Sequence, residues 1–254
     1  MVWPASTLQR KGERRASLVG PTLPVGCALA VGLSTGSGES QNPKQWVNED
    51  SLCAHRLADG SVLAAVADAH WGGAAGESIV TGLKAAFERA RGATALDRLH
   101  LALRAVDARL HMERAQGDGS ETTALLVHLE GRALSWVSVG DSLLFVMGPK
   151  ACSLRNPPSG AFPLPFLGGY PLSKVPVQAR PDSGRVNLKP GELVLLATDG
   201  LEPGASALDP SDVLRLLQAE TPLLGRVETL LERADQPARG GGADNLGVVA
   251  LQVH

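Results

Sequence analysis

The chain has 254 residues, enough for one large domain or two small ones with a substantial buried core. It contains 24 Lys and Arg residues against 26 Asp and Glu residues, a formal net charge of -2. This balance argues against a nucleic-acid-binding protein, which usually has a basic excess, and against an acidic disordered chain. No apolar run reaches the roughly 18 residues of a membrane span, so we expect no membrane association.

The first 22 residues are polar and basic and lack the apolar core of a signal peptide. We therefore predict a flexible tail over 1–22, followed by one domain over 23–254. The cysteines Cys27, Cys53 and Cys152 lack CxxC spacing, which argues against a zinc site and fits a reducing compartment. These features lead us to expect a cytoplasmic protein.

Hydrophobic periodicity predicts strands in runs and helices in pairs. In chain order the patterns predict strands at 25–33, 51–56 and 62–67, helices at 75–91 and after a Thr94 cap, strands at 122–129, 133–139, 143–147 and 193–197, helices at 210–219 and after Thr221-Pro222, and a last strand at 246–253. Between them, residues 149–185 form a Pro- and Gly-rich irregular segment, typical of a functional loop. Because the strands do not alternate with helices, the order favours an α+β fold with largely antiparallel sheets.

Acidic residues recur where the apolar strands begin or end. They are Glu49, Asp50, Asp68, Asp141, Asp199 and Asp244. An aspartate taken alone at such a place is more often an ordinary turn residue. Several partly buried carboxylates in one place repel one another unless a cation gathers them, and oxygen ligands suit a hard cation such as Mg²⁺ or Mn²⁺. The recurrence therefore favours a metal site.

Six short motifs make this interpretation specific. They are Asn48-Glu-Asp-Ser51, Val66-Ala-Asp-Ala-His-Trp-Gly-Gly73, Glu121-Thr-Thr123, Val139-Gly-Asp-Ser142, Thr198-Asp-Gly-Leu201 and Ala243-Asp-Asn245. Their order and approximate spacing resemble the metal-dependent protein phosphatase (PPM) family, type 2C, in its bacterial single-domain form. The resemblance implies a four-layer αββα sandwich, in which two antiparallel β-sheets are flanked by helix pairs, with metals in a cleft at one edge.

The resemblance also implies a ligand set for two Mn²⁺ or Mg²⁺ ions. Asp68 matches an aspartate that bridges both metals, while Asp199 and Asp244 match further ligands of one of them. Glu49 and Asp50 match the acidic pair that holds the other metal, directly or through water.

Further matches concern a third metal and the substrate. Asp141 matches an aspartate linked to a weaker third metal, and Ala69 occupies a position whose backbone carbonyl contacts a metal. His70 matches a histidine proposed as the general acid, so we take His70 and Asp68 as the catalytic residues. Where the family usually has a phosphate-binding arginine, this chain has Gln45 with Lys44 beside it.

The implied reaction is hydrolysis of phosphoserine or phosphothreonine in a phosphoprotein by a metal-activated water. The expected partners are phosphoprotein substrates and an opposing Ser/Thr kinase, with no nucleic acid, and we expect a monomer. Gln45, Ala69 in place of a glycine, and Pro203 in place of an acid depart from the family pattern. They leave two alternatives open: a catalytically weak phosphatase-like binding or regulatory module, and a hydrolase of small phosphate esters.

Several aromatic residues fit structural roles. Trp46 and Trp71 flank the metal motifs, and we expect both to pack against the cleft wall rather than to stack on substrate. His55 and His128 fall in strand patterns and are expected to be structural.

Overall fold

The computed structural model describes residues 2–3, 15–19, 27–36, 48–117, 119–156, 166–169, 181–202, 208–236 and 244–254, the first two ranges as backbone alone. Its strands are β1 (Val2–Trp3), β2 (Arg15–Val19), β3 (Cys27–Ser34), β4 (Asp50–Arg56), β5 (Val62–His70), β6 (Glu121–Thr122), β7 (Ala124–Glu130), β8 (Ala133–Val139), β9 (Leu143–Met147), β10 (Cys152–Leu154), β11 (Asp182–Asn187), β12 (Leu193–Ala197) and β13 (Leu246–Val253). Its α-helices are α1 (Ala74–Arg89), α2 (Ala95–Ala115), α3 (Pro210–Leu217) and α4 (Leu223–Ala234). In these described ranges, no helix is both long and apolar enough to cross a bilayer.

The strands form two antiparallel sheets. Sheet A has the order β1-β4-β5-β7-β8-β11, with β6 also paired with β5, and sheet B has the order β10-β9-β12-β13-β3-β2. Hairpin-linked neighbours such as β4 and β5 are adjacent in sheet A. The predicted α+β class with antiparallel sheets is therefore confirmed.

Alternation along the strands divides the core into three layers. In β5, Ala64 and Val66 face sheet B, while Leu63, Ala65 and Ala67 face the opposite side, where α1 and α2 pack. A third cluster lies between sheet B and the pair α3 and α4. The order of layers is helix pair, sheet, sheet, helix pair, which confirms the predicted four-layer sandwich.

Local signals explain where two helices begin. The Asp97 N–H donates to Thr94 Oγ1 at 3.1 Å and the Thr94 N–H donates to Asp97 Oδ2 at 3.0 Å, a capping box that starts α2 as predicted. The prediction for α4 is off by one residue, because Pro222 rather than Thr221 is its N-cap. Proline's fixed φ suits the entry to a helix, and Pro222 has no N–H to leave unsatisfied.

The structure corrects the sequence prediction in two segments. Within the predicted flexible tail, residues 15–19 form β2 and pair with β3, and residues 2–3 pair with β4. The segment 149–185, predicted as irregular, contains β10 and contributes β11. Edge strands such as β2, β10 and β11 pair through backbone on one side only, so the alternation that reveals central strands is weak in them. The boundary between residues 22 and 23 stays a prediction.

His128 is buried against α1, as expected for a structural histidine. Its ring stacks on Phe87 with centroids 4.9 Å apart, and its Nε2 lies 2.9 Å from Ser61 Oγ. Burial lowers the pKa of His128 from its ordinary value of 6.5. The fold therefore favours the neutral ring.

Acid should destabilise the protein through this residue. The unfolded chain takes up a proton near pH 6.5 and the folded ring does so only at lower pH, so the contribution is complete above that pH and is lost below it. We expect the difference in unfolding free energy between wild type and His128→Gln to narrow from about pH 7.5 to about pH 5. Denaturant titrations measure it, and a difference that is constant with pH would contradict the prediction.

Candidate metal centre

Five aspartates from separate places in the sequence meet at one edge of the two sheets. Asp50 begins β4 and is the direct cross-strand partner of Asp68 in β5. Carboxylate oxygens of Asp68, Asp141 and Asp199 all lie within 4.8 Å of one another. Asp244 precedes β13 and is close enough for its charge to act on both Asp50 and Asp68. Strand ends from both sheets thus bring these acids together.

Burial and mutual repulsion disfavour the ionised form of the carboxylates in this cluster. Burial raises the pKa of Asp50 well above its ordinary value, and the charges of Asp199 and Asp244 raise it further. Burial also raises the pKa of Asp68, followed by the charges of Asp50, Asp199, Asp141 and Asp244. A group of like charges in partly buried positions costs stability unless a positive charge compensates it.

Hydrogen bonds hold Asp50 where β4, β12 and β13 converge. The Thr198 hydroxyl donates to Asp50 Oδ2 at 2.7 Å, and the Gly247 N–H donates to Thr198 Oγ1 at 2.9 Å. On its own strand, the Asp50 N–H donates to Asn48 Oδ1 at 3.1 Å. The side chain of Asp50 is therefore fixed by both sheets.

The motif around Thr122 and Thr123 fixes the backbone of Asp68. The Asp68 N–H donates to Thr123 Oγ1 at 3.0 Å, and its carbonyl accepts from the Thr122 hydroxyl at 2.9 Å and the Thr123 N–H at 2.8 Å. Thr123 Oγ1 lies 3.0 Å from Ser142 Oγ, beside Asp141. Gly140, at φ +93°, leaves room for this contact, since a Cβ there would lie 2.6 Å from Thr123 Cγ2. The sequence identified these motifs but not their positioning role.

Two oxygens in the cluster test whether a cation fits. Asp50 Oδ1 and Asp141 Oδ1 are buried and have no hydrogen-bond partner among the described residues. Buried carboxylate oxygens without donors are costly, and oxygen donors of this kind are the ligands that Mg²⁺ and Mn²⁺ prefer. The residues present therefore fit a hard divalent cation.

Glu49 lies beside the cluster and faces the loop that follows β5. Its Oε1 accepts the Gly72 N–H at 2.7 Å, and its own N–H donates to Asn245 Oδ1 at 2.8 Å. Asn245 in turn donates to the Thr35 carbonyl at 3.0 Å. Glu49 thus links the loop after β5 to the start of β13, where Asp244 lies.

Ala69 and His70 continue β5 beyond Asp68. Ala69 is fully buried and pairs with Thr122 in β6. Among the described non-glycine residues, a positive φ occurs at Trp71 and not at Ala69, so the backbone of Ala69 is not strained. His70 Nε2 lies 3.9 Å from Asp68 Oδ2, and its ring packs on Phe166 with centroids 4.6 Å apart. The His70 side chain is 25% exposed, which leaves it accessible from the cleft.

Trp71 contradicts its sequence prediction. We expected it to pack against the cleft wall, but its side chain is 79% exposed and its φ is +68°. A non-glycine residue in this left-handed region is strained by roughly 1–2 kcal/mol. Lys44, Gln45 and Trp46 lie outside the described residues, so their predicted roles remain predictions.

Glu202 is an acidic neighbour of Asp141 that the motifs did not assign. Burial raises the pKa of Glu202, and the charge of Asp141 raises it further. Its N–H donates to the Asp199 carbonyl at 2.7 Å at the end of a 3-10 turn, Asp199–Leu201. Pro203 stands where the family pattern has an acid, and it lies outside the described residues. Glu202, one residue earlier, supplies a carboxylate near Asp141.

Residues 166–169 of the Pro- and Gly-rich segment pack beside His70. Leu167 and Thr122 pair through both backbone N–H groups, at 2.8 and 3.1 Å, and the Gly168 N–H donates to Asp107 Oδ1 at 3.1 Å. These contacts hold Phe166 against the His70 ring. The prediction of a functional loop located this segment, but not which of its residues reach the site.

Several solved structures with a similar fold are serine or serine/threonine phosphatases. A bacterial serine phosphatase has a TM-score of 0.72 at 17% identity, covering 89% of this chain and 97% of that chain. The catalytic domain of the serine/threonine protein phosphatase PstP, solved with 2 manganese ions, has a TM-score of 0.70 at 22% identity, covering 90% and 98%. The Mycobacterium tuberculosis phosphatase PstP/Ppp has a TM-score of 0.68 at 22% identity, covering 90% and 99%. Among curated proteins, none matches this chain.

The fold is thus that of the PPM-type phosphatases, as the sequence motifs predicted. Within that class, the chain belongs to the Stage II sporulation protein E (SpoIIE) family, whose model matches residues 58–254.

Gly200 sets how closely the turn after β12 approaches the start of β13. A Cβ at Gly200 would lie 2.0 Å from the Asn245 carbonyl oxygen, which is backbone and has little freedom to move. We expect Gly200→Ala to destabilise the protein by about 1–3 kcal/mol and to separate Asp199 from Asp244.

Gly225 in α4 provides a matched control for this substitution. A Cβ there meets nothing within 4 Å, and alanine is the better helix former by roughly 1 kcal/mol. Urea unfolding of both variants measures the contrast. Equal stability of Gly200→Ala and wild type would mean that the close approach is unimportant.

Removing one charge from the cluster should raise the stability of the metal-free protein and lower the stabilisation that metal binding provides. Without metal, we expect Asp68→Asn to be more stable than wild type by on the order of 1 kcal/mol, because repulsion among the carboxylates is reduced. With Mn²⁺, wild type should gain stability by mass action and the variant should gain far less.

Thermal unfolding with a chelator and with Mn²⁺ tests this pair of effects. Asp212→Asn, in α3 away from the cluster, is the matched charge control and should respond to Mn²⁺ as wild type does. An Asp68→Asn protein that is stabilised by Mn²⁺ as much as wild type would refute the assignment.

Proposed function

We propose that the protein is a Mn²⁺- or Mg²⁺-dependent protein phosphatase that hydrolyses phosphoserine and phosphothreonine. One observation carries the proposal: Asp50, Asp68, Asp141, Asp199 and Asp244 converge at the edge of a PPM-type sandwich, with buried carboxylate oxygens that lack donors among the described residues. The similar fold of PstP, solved with 2 manganese ions, supports it.

In this proposal the acids divide between two cations. Asp68 would help to hold both, Asp199 and Asp244 would hold one, and Asp50 with Glu49 would hold the other. The backbone carbonyl of Ala69 would be a further ligand. Bound divalent cations lower the pKa of a coordinated water and offset the charge of a phosphoryl group.

A weaker third site would use Asp141. Glu202 is the residue that we add to it, because the Asp141 charge raises the pKa of Glu202 and both are at the same edge of the fold. The acid missing at Pro203 in the family pattern is then supplied one residue earlier.

His70 is the proposed general acid. Packing on Phe166 orients its ring, and its partial exposure lets Nε2 reach the oxygen of a departing serine or threonine. Its Nε2 lies 3.9 Å from Asp68 Oδ2, which places the ring beside the acidic cluster. Proton donation of this kind is typically worth about 10²–10⁴-fold in rate.

The remaining assignments are proposals from the sequence. Lys44 and Gln45 would contact the substrate phosphate, with lysine supplying charge but not the two-pronged contact of an arginine. The substrates would be phosphoproteins modified by a Ser/Thr kinase. The unstrained backbone of Ala69 removes one reason to favour a catalytically weak module.

Mn²⁺-dependent release of phosphate from phosphopeptides tests the proposal. We expect wild type to be active and Asp199→Asn to lose at least about 100-fold in kcat/KM, because a charge that binds the cation is removed. Asp212→Asn, which changes the same residue type on α3, should retain full activity.

The alternatives give different results in the same assay. Mn²⁺ binding without cleavage of any phosphopeptide would indicate a binding module, and preference for small phosphate esters would indicate a small-molecule hydrolase. Full activity of Asp199→Asn would show that the metal centre is elsewhere.

A further inference from the structure

The residues on either side of Trp71, His70 and Gly72, both contact acids of the candidate metal centre. On one side, His70 Nε2 lies 3.9 Å from Asp68 Oδ2. On the other, the Gly72 N–H donates to Glu49 Oε1 at 2.7 Å, and the Gly72 carbonyl accepts from the Ser120 hydroxyl at 2.5 Å. The backbone of Trp71 is therefore fixed within one residue of the proposed general acid.

Among the described residues, nothing accounts for the conformation and exposure of Trp71. Its φ of +68° is one that glycine adopts without strain, and its indole is 79% exposed, so it gains little from burial. Trp136, the other tryptophan whose side chain is described, is 7% exposed. Backbone strain of this kind next to a reactive site points to a role in function.

We propose that Trp71 is a specificity-determining residue that contacts the peptide chain beside the phosphorylated serine or threonine. This inference rests on the proposed phosphatase function and names part of its substrate recognition. An indole offers a large, rigid and amphipathic surface at low entropic cost, which suits contact with an extended peptide. A small phosphate ester has no neighbouring residues that could make this contact.

The indole of Trp71 itself favours one kind of neighbouring residue. The nearby acids are already engaged, because Glu49 accepts the Gly72 N–H and Glu121 is paired with Arg114 at 3.4 Å. The exposed face of an indole attracts a cation, so an arginine next to the phosphorylated residue is preferred to a glutamate.

Kinetics with two substrates of different length test the proposal. With an arginine-flanked phosphopeptide, Trp71→Ala should raise KM about 3- to 10-fold with little change in kcat. With free phosphoserine, which lacks neighbouring residues, it should change neither constant. Trp71→Phe should retain most of the peptide affinity, and Leu101→Ala, an exposed apolar residue in α2, should behave as wild type.

Stability separates this role from a structural one. Trp71→Gly relieves the positive φ and should raise the unfolding midpoint by about 2–4 °C while raising KM for the peptide as Trp71→Ala does. A variant that is destabilised and loses activity on both substrates equally would indicate a structural role and overturn the proposal.

Binding of a non-hydrolysable phosphonate peptide in the presence of Mn²⁺ keeps the test independent of turnover. By fluorescence anisotropy, Trp71→Ala should bind the arginine-flanked analogue about 3- to 10-fold more weakly than wild type, and the preference over a glutamate-flanked analogue should shrink. Wild type that cleaves neither substrate defeats the proposed function, and the binding comparison still decides on Trp71. Equal affinity of Trp71→Ala and wild type overturns the inference.

Discussion

Repulsion among carboxylates is the constraint on which the rest of the site depends. Asp50 and Asp68 lie directly opposite each other on adjacent antiparallel strands, a placement that ordinarily destabilises a sheet. Their burial and the nearby charges of Asp199 and Asp244 increase that cost. A chain retains such an arrangement where a cation compensates it, and the surrounding fold must hold the acids in place against their own repulsion.

The two-sheet architecture provides that rigidity. Asp50 and Asp68 come from central strands of sheet A, whereas Asp199 and Asp244 come from the ends of adjacent strands of sheet B. The apolar core between the sheets fixes their separation, and the Thr198 hydroxyl joins them directly by donating to Asp50. Position of the acids is therefore a property of the sandwich as a whole rather than of any single loop.

The sequence predicted the two-sheet fold and the cluster of acids because central strands and acids at strand ends have clear local signals. Alternating or continuous apolar runs located β5 and β12, and the aspartates that follow them gave the site. Other features have no such signal. The polar edge strand β11 pairs through backbone, and only the turn after β12 brings Glu202 close enough for the charge of Asp141 to act on it.

Trp71 shows the limit of sequence reasoning most clearly. Apolar residues near a cleft usually pack, so burial was the reasonable expectation, and only the backbone geometry places the indole outside. Ala69, which departs from the family pattern, lies in strand geometry without a positive φ, whereas its near neighbour Trp71 occupies a strained conformation.

The site therefore divides into two parts with different physical requirements. The acids must be rigid, since a cation needs its ligands in fixed positions, and Asp50 and Asp68 are anchored through hydrogen bonds and strand pairing to the sheets. His70 ends β5 with its ring packed on Phe166 and is partly exposed, and Trp71 follows it and is largely exposed. Because Asp68 and His70 lie in β5 and Trp71 follows it directly, the pairing of Asp68 with Thr123 that holds the acid in place also sets where these residues lie. Under the proposed function, changes beyond Asp68 would alter recognition without disturbing the acids, provided that this pairing is kept.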